Sequence, residues 1–220
     1  MRVVCFTGHH LQFTFAKHQE EAPKFYTSRY RHFNNPSAPA GYSSYIEGWG
    51  LYAESLGHQM DGIYERDNQI FGFYSLSLLR ACRLVVDTGI HAFGWSRQQA
   101  LDYLAENTFQ SIASLDQEID RYITWPGQAL SYKMGEMKIK ETLQKMRDEN
   151  KDAFDIRLYH DAVLSCNGPL SQIEDCVRNY LKSRDNSIAS LLQHEVKKEP
   201  SSSMKSTTPE LSLSNEPVSL

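Results

Sequence analysis

The sequence lacks a long apolar run, a cluster of basic residues and any CxxC pair. No stretch approaches the roughly 20 apolar residues that a membrane-spanning helix needs. A single arginine, Arg2, precedes only a short apolar stretch at the N-terminus, which is a poor match to a signal peptide. Lys and Arg are scattered, and the formal net charge is −4, so a nucleic-acid surface is not indicated. We predict neither a membrane segment nor a nucleic-acid partner, and the compartment stays open.

Cysteine is scarce as well. Cys5, Cys82, Cys166 and Cys176 follow no metal-binding spacing, so a cysteine zinc site is not predicted. Cys166 and Cys176 could pair if the protein is secreted. Buried free thiols are the state that we favour for them.

Helical periodicity is abundant. A chain of 220 residues with 40% hydrophobic content can bury a core. No alternating strand pattern and no repeat occurs, so we predict an all-α fold. The predicted helices begin near Leu11 and then cover about Tyr42–Tyr64, Asn68–Phe93, the segment after an N-cap at Ser96, Ser111–Tyr122, Gly127–Glu149, Ile156–Ser165 and Ser171–Ser183.

Two local patterns sharpen these predictions. In the long helix, the apolar phase runs through Phe71, Tyr74, Leu78 and Val85. Ser96 is followed three residues later by Gln99, which is the spacing of a capping box.

The composition changes near the C-terminus. From Glu195 onward the sequence is rich in Ser, Thr, Pro and Lys and has no aromatic residue. Such a segment buries too little apolar surface to offset the entropy of ordering. We therefore predict a helical portion over residues 1–183 and a disordered tail over residues 184–220.

Polar residues interrupt the apolar sequence of the long helix. Arg83, Asp87 and His91 have the spacing i, i+4, i+8, so they lie on one stripe. Burying such groups is costly unless they pair or belong to a site. Two interpretations follow: a structural Arg83–Asp87 bridge beside a core histidine, or a functional site.

A second polar pattern follows Pro126 and Gly127, which fit a helix start. Gln128 and Tyr132 then lie four residues apart on one face. A tyrosine hydroxyl in a cleft can donate to a developing oxyanion. The alternative is an ordinary amphipathic tyrosine at the edge of the core.

A histidine pair and a glutamate suggest a metal site. His9 and His10 open the first helix, and Glu47 lies in EGWGLYAE, where two glycines and a tryptophan are unusual for a solvated helix face. A zinc peptidase needs a helix-borne glutamate that meets histidines from a preceding helix.

These runs together carry a family resemblance. In the order GHHLQ, EGWGLYAE, RLVVDTGIHAFGW, RYITWPGQALSYKMGE and LYHDAVLSCNGPL, the chain closely resembles the family called domain of unknown function 885 over about residues 8–182. That family is similar to zinc metallopeptidases of the thermolysin-like clan, with a mostly helical fold and a peptidase or carboxypeptidase activity. The resemblance implies zinc as the cofactor and a peptide as the substrate.

The resemblance also implies roles for individual residues. One histidine, His9 or His10, and Glu47 would bind zinc. His91 and Tyr132 would be catalytic, as groups that stabilise an oxyanion or orient the substrate. Arg83 and Gln128 would contact the substrate, although for Arg83 a bridge to Asp87 is an equal alternative.

The sequence departs from the family pattern just before the histidines. There the family has His-Glu, two variable residues and Pro, whereas this chain has Val3, Val4 and Thr7 at the His, Glu and Pro positions. A catalytic zinc needs about three protein ligands, and the glutamate acts as the base on its water. We therefore expect a truncated or degenerate C-terminal half of a zincin-like helical domain, inactive as given and weak in zinc binding. The alternative is a non-catalytic helical scaffold or partner-binding protein.

Overall fold

A computed structural model of the protein describes residues 8–19, 42–60 and 62–196. Within these ranges the regular structure is entirely helical and contains no strand, which confirms the all-α prediction. Short 3₁₀ turns at Gly57–Gln59 and Lys151–Ala153 follow two of the helices. The eight α-helices of this part of the chain are α1 (Leu11–His18), α2 (Ser43–Leu56), α3 (Asp67–Phe93), α4 (Arg97–Asn107), α5 (Ile112–Thr124), α6 (Gln128–Asn150), α7 (Ile156–Ser165) and α8 (Leu170–Val196).

The chain divides into two units, residues 1–182 and 183–220. Helix α8 continues to Val196, beyond the end predicted at Ser183. No Pro or Gly interrupts residues 184–196, so nothing in the sequence stops the helix there. Residues 197–220 of the predicted tail lie outside the described residues.

Most predicted helix boundaries agree with the structure, and the ends of α2 and α8 are the exceptions. Helix α7 matches its prediction, and α3 begins one residue before it. The capping box of Ser96 and Gln99 is present at the start of α4. Helix α2, however, ends at Leu56 instead of Tyr64. Met60 is extended and Gly62 has a φ of +79°, so the chain turns back and Tyr64 packs at the end of α2.

The buried face of α3 is not the one that its apolar phase predicts. Leu79, Cys82 and Val86 face inward and pack against α4 and α5. The predicted phase lies on the outside and forms a stripe that we call the outer stripe of α3. Its members are Phe71, Tyr74, Leu78, Ala81 and Val85, of which all but the half-buried Ala81 are exposed.

By length and composition α3 could cross a membrane, which the prediction from uninterrupted apolar runs missed. Arg80, Arg83 and Asp87 break the apolar run but leave the average of the helix high. One such helix is weak evidence for a span, because core helices of soluble proteins pass the same test. Helix α3 packs against α4, α5 and α6.

Two apolar clusters make up the core of the first unit. One joins α1, α2, α6, α7 and α8 around the buried rings of Tyr45, Tyr52 and Tyr159. The hydroxyl groups of Tyr45 and Tyr159 donate to the carbonyl oxygens of Val163 and Ile139, so these rings are buried without unsatisfied polar atoms. The other cluster joins α3, α4 and α5 with Ala129 of α6.

Helices α2 and α6 approach each other at two glycines. A Cβ atom on Gly135 would lie 1.9 Å from the carbonyl oxygen of Ser44 and 2.6 Å from the Cα atom of Gly48. A Cβ atom on Gly48 would lie 2.4 Å from the Cα atom of Gly135. The backbones are therefore in contact, and neither position leaves room for a side chain. This contact accounts for the first glycine of EGWG.

The cysteine prediction is wrong for one pair. Cys166 and Cys176 form a disulfide with a Cα–Cα distance of 5.9 Å, which joins the end of α7 to α8. The sequence alone favours free thiols for these two cysteines, with a disulfide as the alternative in a secreted protein. Cys82 is a buried free thiol, and Cys5 lies outside the described residues.

The α2–α6 contact leads to a stability prediction. We expect Gly135→Ala to destabilise the protein by about 2 to 4 kcal/mol, because the new methyl group meets backbone atoms that cannot rotate away. The measurement is the free energy of unfolding in urea, followed by circular dichroism.

Gly72→Ala on α3 is the matched control. No atom lies within 4 Å of its Cβ position, so this change should be neutral or stabilise by up to about 1 kcal/mol. Equal free energies of unfolding for the Gly135 variant and the wild type would show that the two helices do not cross in this way.

Candidate functional site

The first candidate site joins the start of α1 to α2. Residues 8–10 form a π-helical turn that continues into α1. In this turn His9 directs its Nε2 atom toward the Glu47 carboxylate on α2, at 3.2 Å from Oε2. The His9 and Glu47 side chains are 30% and 20% exposed, so the pair lies at the surface end of the core. His10 is exposed. Of the histidine pair, the structure brings His9 to the predicted glutamate.

Four neighbours hold the His9 ring in place. Trp49 Nε1 donates to the carbonyl oxygen of Gly8 at 3.2 Å and ties the π-helical turn to α2. Gly50 leaves space for the imidazole, since a Cβ atom there would lie 2.9 Å from its Cε1 atom. Phe13 stacks on the ring, and the Nδ1 atom faces the buried Gln12 side-chain oxygen at 3.5 Å. The second glycine and the tryptophan of EGWG are thus accounted for by the His9 ring and by the turn that carries it.

The Glu47 carboxylate raises the pKa of His9 above its ordinary value of 6.5. The hydrogen bond to Glu47 is the largest cause, and partial burial opposes it. With the imidazole protonated, Nε2 donates to Glu47 and Nδ1 faces Gln12. A metal ion between Nε2 and Oε2 would have to replace the proton that Nε2 carries.

The spacing of the pair fits two ligands of a tetrahedral zinc ion. Zinc bonds of about 2.0 to 2.2 Å to nitrogen and oxygen place neighbouring ligand atoms about 3.3 Å apart. The observed separation of Nε2 and Oε2 is 3.2 Å. Among residues 8–19, 42–60 and 62–196, however, no group of three metal-binding side chains occurs. Val3 and Val4, which occupy the His-Glu positions of the family pattern, lie outside the described residues.

The second candidate site lies where α3, α5 and α6 meet. Arg83 is buried, donates through Nε to the Tyr122 hydroxyl at 3.0 Å and forms an ion pair with Glu118. Tyr122 also donates to Glu118, at 2.8 Å. The predicted Arg83–Asp87 bridge is therefore wrong, because the carboxylate that neutralises Arg83 comes from α5.

Tyr132 and Gln128 belong to the same network. The Tyr132 hydroxyl oxygen accepts hydrogen bonds from Arg121 Nη2 at 2.8 Å and from Gln128 Nε2 at 3.2 Å. The guanidinium of Arg83 lies over the Tyr132 ring, 5.0 Å from its centroid. Since its oxygen accepts two N–H groups, the hydroxyl of this half-buried residue can turn its own proton toward a ligand.

Asp87 and His91 of α3 form hydrogen bonds to backbone groups outside their own helix. Asp87 accepts from the N–H of Gly127 at 3.1 Å, and its burial raises the pKa of its carboxyl group, although that N–H partly offsets the rise. His91 Nε2 lies 2.9 Å from the carbonyl oxygen of Tyr122. His91 is exposed, so the interpretation as a core histidine is wrong.

The structure thus sorts the predicted site residues into two groups. Arg83, Gln128 and Tyr132 share the α3–α5–α6 network, and His91 borders it through Tyr122. His9 and Glu47 form the separate pair, and the hydrogen bonds of the described residues do not join the two groups. The expected cleft shared by His91 and Glu47 is not seen in those contacts.

Sequence reasoning missed several members of both sites. In the network these are Glu118, Arg121 and Tyr122, which lie on α5, a helix on which we had placed no site residue. Their spacing of three and four residues is a helical stripe, and this could have indicated them. Gln12 of the first site stands three residues after His9 inside an apolar helix, which is a weaker signal.

The comparisons with known proteins agree with the motifs. Residues 6–175 match the family model described as "Bacterial protein of unknown function (DUF885)". The chain belongs to the DUF885 family. Among curated proteins, none matches the chain.

A solved structure also matches. It is the crystal structure of the "putative lipoprotein" from Colwellia psychrerythraea, with 36% sequence identity and a TM-score of 0.69. The match covers 80% of this DUF885 chain and 28% of the other protein. The chain therefore spans little more than a quarter of that relative's length.

The His9–Glu47 pair predicts a measurable titration. Replacing Glu47 by Gln should lower the pKa of His9 toward 6.5, because the main group that stabilises the imidazolium is lost. The measurement is the chemical shift of the His9 ring protons against pH. Glu106→Gln on the exposed side of α4 is the control and should leave the His9 curve unchanged.

The same pair predicts a pH-dependent stability. A raised histidine pKa stabilises the fold fully below 6.5, and this contribution is lost as the pH rises through the folded-state value. The difference in unfolding free energy between wild type and Glu47→Gln should be larger at pH 5.5 than at pH 9. An identical difference at both values would contradict the ion pair.

Proposed function

We propose that the chain is a non-hydrolytic relative of zinc-dependent peptidases that retains two of the metal ligands, His9 and Glu47. The approach of an imidazole nitrogen and a carboxylate oxygen to 3.2 Å is the observation that carries this proposal. The Gln12 oxygen at the second ring nitrogen supports it, because metal-binding histidines commonly have such an outer partner.

The ligand set is incomplete for catalysis. In a complete site, zinc supplies an activated water that attacks a peptide carbonyl. Such a site needs about three protein ligands and a base, and valines occupy the two family positions that would supply a ligand and the base. The residues of this chain therefore do not support a hydrolytic step.

We also propose that the matched region corresponds to the C-terminal part of a larger, zincin-like metallopeptidase domain. The order of the motifs supports this placement, with the histidine pair at the start of the match and the glutamate after it. The small share of the solved relative that the chain covers is consistent with a larger whole.

In complete relatives the α3–α5–α6 network would face the substrate peptide. Tyr132 is suited to donate a hydrogen bond to a substrate oxygen, because its hydroxyl oxygen already accepts hydrogen bonds from Arg121 and Gln128. Arg83 is saturated by Glu118 and Tyr122, so its role would be to position the Tyr132 ring. Arg121, with a 35% exposed side chain, is better placed than Arg83 to meet a substrate carboxylate. His91 would orient the substrate from the rim.

The second candidate function is that of a partner-binding helical scaffold. The exposed outer stripe of α3 favours it, because large apolar side chains on one helix face commonly mark a binding surface. This function needs neither zinc nor a complete ligand set.

Zinc titration tests the first proposal. We expect binding only at a large excess of zinc, and weaker binding at acidic pH, because the ligating imidazole must be neutral. Glu47→Ala and His9→Ala should each lower the affinity by about tenfold or more, whereas His10→Ala should not. The measurement is isothermal titration calorimetry with zinc chloride.

Two further arms complete this test. His58→Ala, in an aromatic cluster with Tyr64 and Phe73, is the control and should bind zinc as the wild type does. The chain should show no turnover of a peptide library with zinc supplied. Equal zinc affinity in all variants would mean that the metal goes elsewhere, and turnover abolished by Glu47→Gln would show that the chain is an active enzyme.

We further propose that the protein works in an oxidising compartment. The Cys166–Cys176 disulfide supports this, because such bonds persist mainly in exported proteins. The description of the solved relative as a lipoprotein points the same way. In protein taken from its native cell, Cys166 and Cys176 should resist alkylation until a reductant is added. Immediate alkylation of both under denaturing conditions would place the protein in a reducing compartment.

A further inference from the structure

The outer stripe of α3 has a regular spacing. Its residues follow one another at intervals of three, four, three and four, from Phe71 through Tyr74, Leu78 and Ala81 to Val85. Apolar side chains at this 3–4 alternation form a strip, or seam, along which one helix packs against another. Phe71 and Tyr74 are 56% and 59% exposed, and Leu78 and Val85 are 39% and 41% exposed.

The opposite face of α3 is already covered. Leu79, Cys82 and Val86 are buried against α4 and α5, so α3 has two apolar faces, one of them without cover in the described part of the chain. Such a helix is typical of the interior of a larger fold. Leaving several large side chains in water forgoes the stabilisation that their burial would bring.

A groove runs beside the stripe. It has a volume of about 400 Å³ and lies between α3, Phe109 of the α4–α5 connection and Lys133 of α6. Phe109 is 69% exposed and contacts Phe71 with ring centroids 5.3 Å apart. Lys133 donates to Ser77 and Glu136, so one edge of the groove is polar while its floor is apolar.

We propose that the outer stripe of α3 is the docking face for an amphipathic helix, supplied by the additional polypeptide that longer DUF885 members carry. The solved relative supports this occupant, because 72% of its length lies outside the match and is available to pack against the matched part. The 3–4 seam specifies a helix, since a strand would need alternate residues.

A lipid bilayer fits the stripe less well. A membrane-spanning helix is apolar around its whole circumference, whereas α3 carries Arg83 and Asp87 on its inner face in a polar network. The inference does not depend on the metal pair, so failure of zinc binding would leave it unaffected.

The test compares one substitution in a short and a long protein. In this chain Leu78→Gln should change the melting temperature by less than about 2 °C, because the side chain is exposed. Glutamine at the aligned position of the full-length Colwellia psychrerythraea protein should lower it by more than about 5 °C, because there the residue would be covered. Ile123→Gln in this chain is the matched control, since Ile123 on α5 has a similar exposure of 43%.

A labelling experiment tests the same inference if the glutamine variant of the longer protein does not fold. Leu78→Cys in this chain should react with a maleimide at least tenfold faster than a cysteine at the aligned position of the folded longer protein. Equal labelling rates in the two proteins would overturn the inference.

Two other occupants would also overturn it. A concentration-dependent dimer of this chain in sedimentation that Leu78→Gln dissolves would identify a second copy as the partner. Co-sedimentation with phosphatidylethanolamine–phosphatidylglycerol vesicles that is lost in Leu78→Gln would identify a membrane.

Discussion

The contact between the backbones of α2 and α6 is the constraint on which the rest of the first unit depends. Gly48 and Gly135 let the two helices touch, and this places Glu47 beside the α1 turn and α6 beside α3. Any side chain at either glycine would push the helices apart and disturb both candidate sites together. Gly135 of α6 and Gly48 of EGWG therefore share one structural reason, which is the close approach of the two backbones.

The two candidate sites use charge in different ways. In the α3–α5–α6 network the buried Arg83 is neutralised within the protein by Glu118, and its remaining interactions are with aromatic rings. Removing one partner of such a buried pair is costly, because it leaves the other charge without its counter-charge. The His9–Glu47 pair is more exposed, and there the carboxylate raises the pKa of an imidazole that can gain or lose a proton.

Much of the fold follows from the sequence, while the faces of its helices do not. Helical periodicity and caps such as Ser96 place α3, α7 and the start of α4 within about one residue, because these signals are local. The inward face of α3 was wrong because Phe71 and Leu78 satisfy helical periodicity as well as Leu79 and Val86 do, and only tertiary packing decides between two apolar stripes. The prediction of the partner of Arg83 was wrong for a related reason. Asp87 is close in sequence, whereas Glu118 comes from another helix and is brought to Arg83 only by tertiary packing.

The π-helical turn at residues 8–10 has a consequence for how such motifs are compared. A π turn behaves as one extra residue inserted in an α-helix, in which each residue advances by about 100°. Counting along the chain therefore assigns adjacent histidines to faces that the backbone does not give them. The conformation of a single turn, together with the order of residues, therefore decides where the His9 imidazole meets α2.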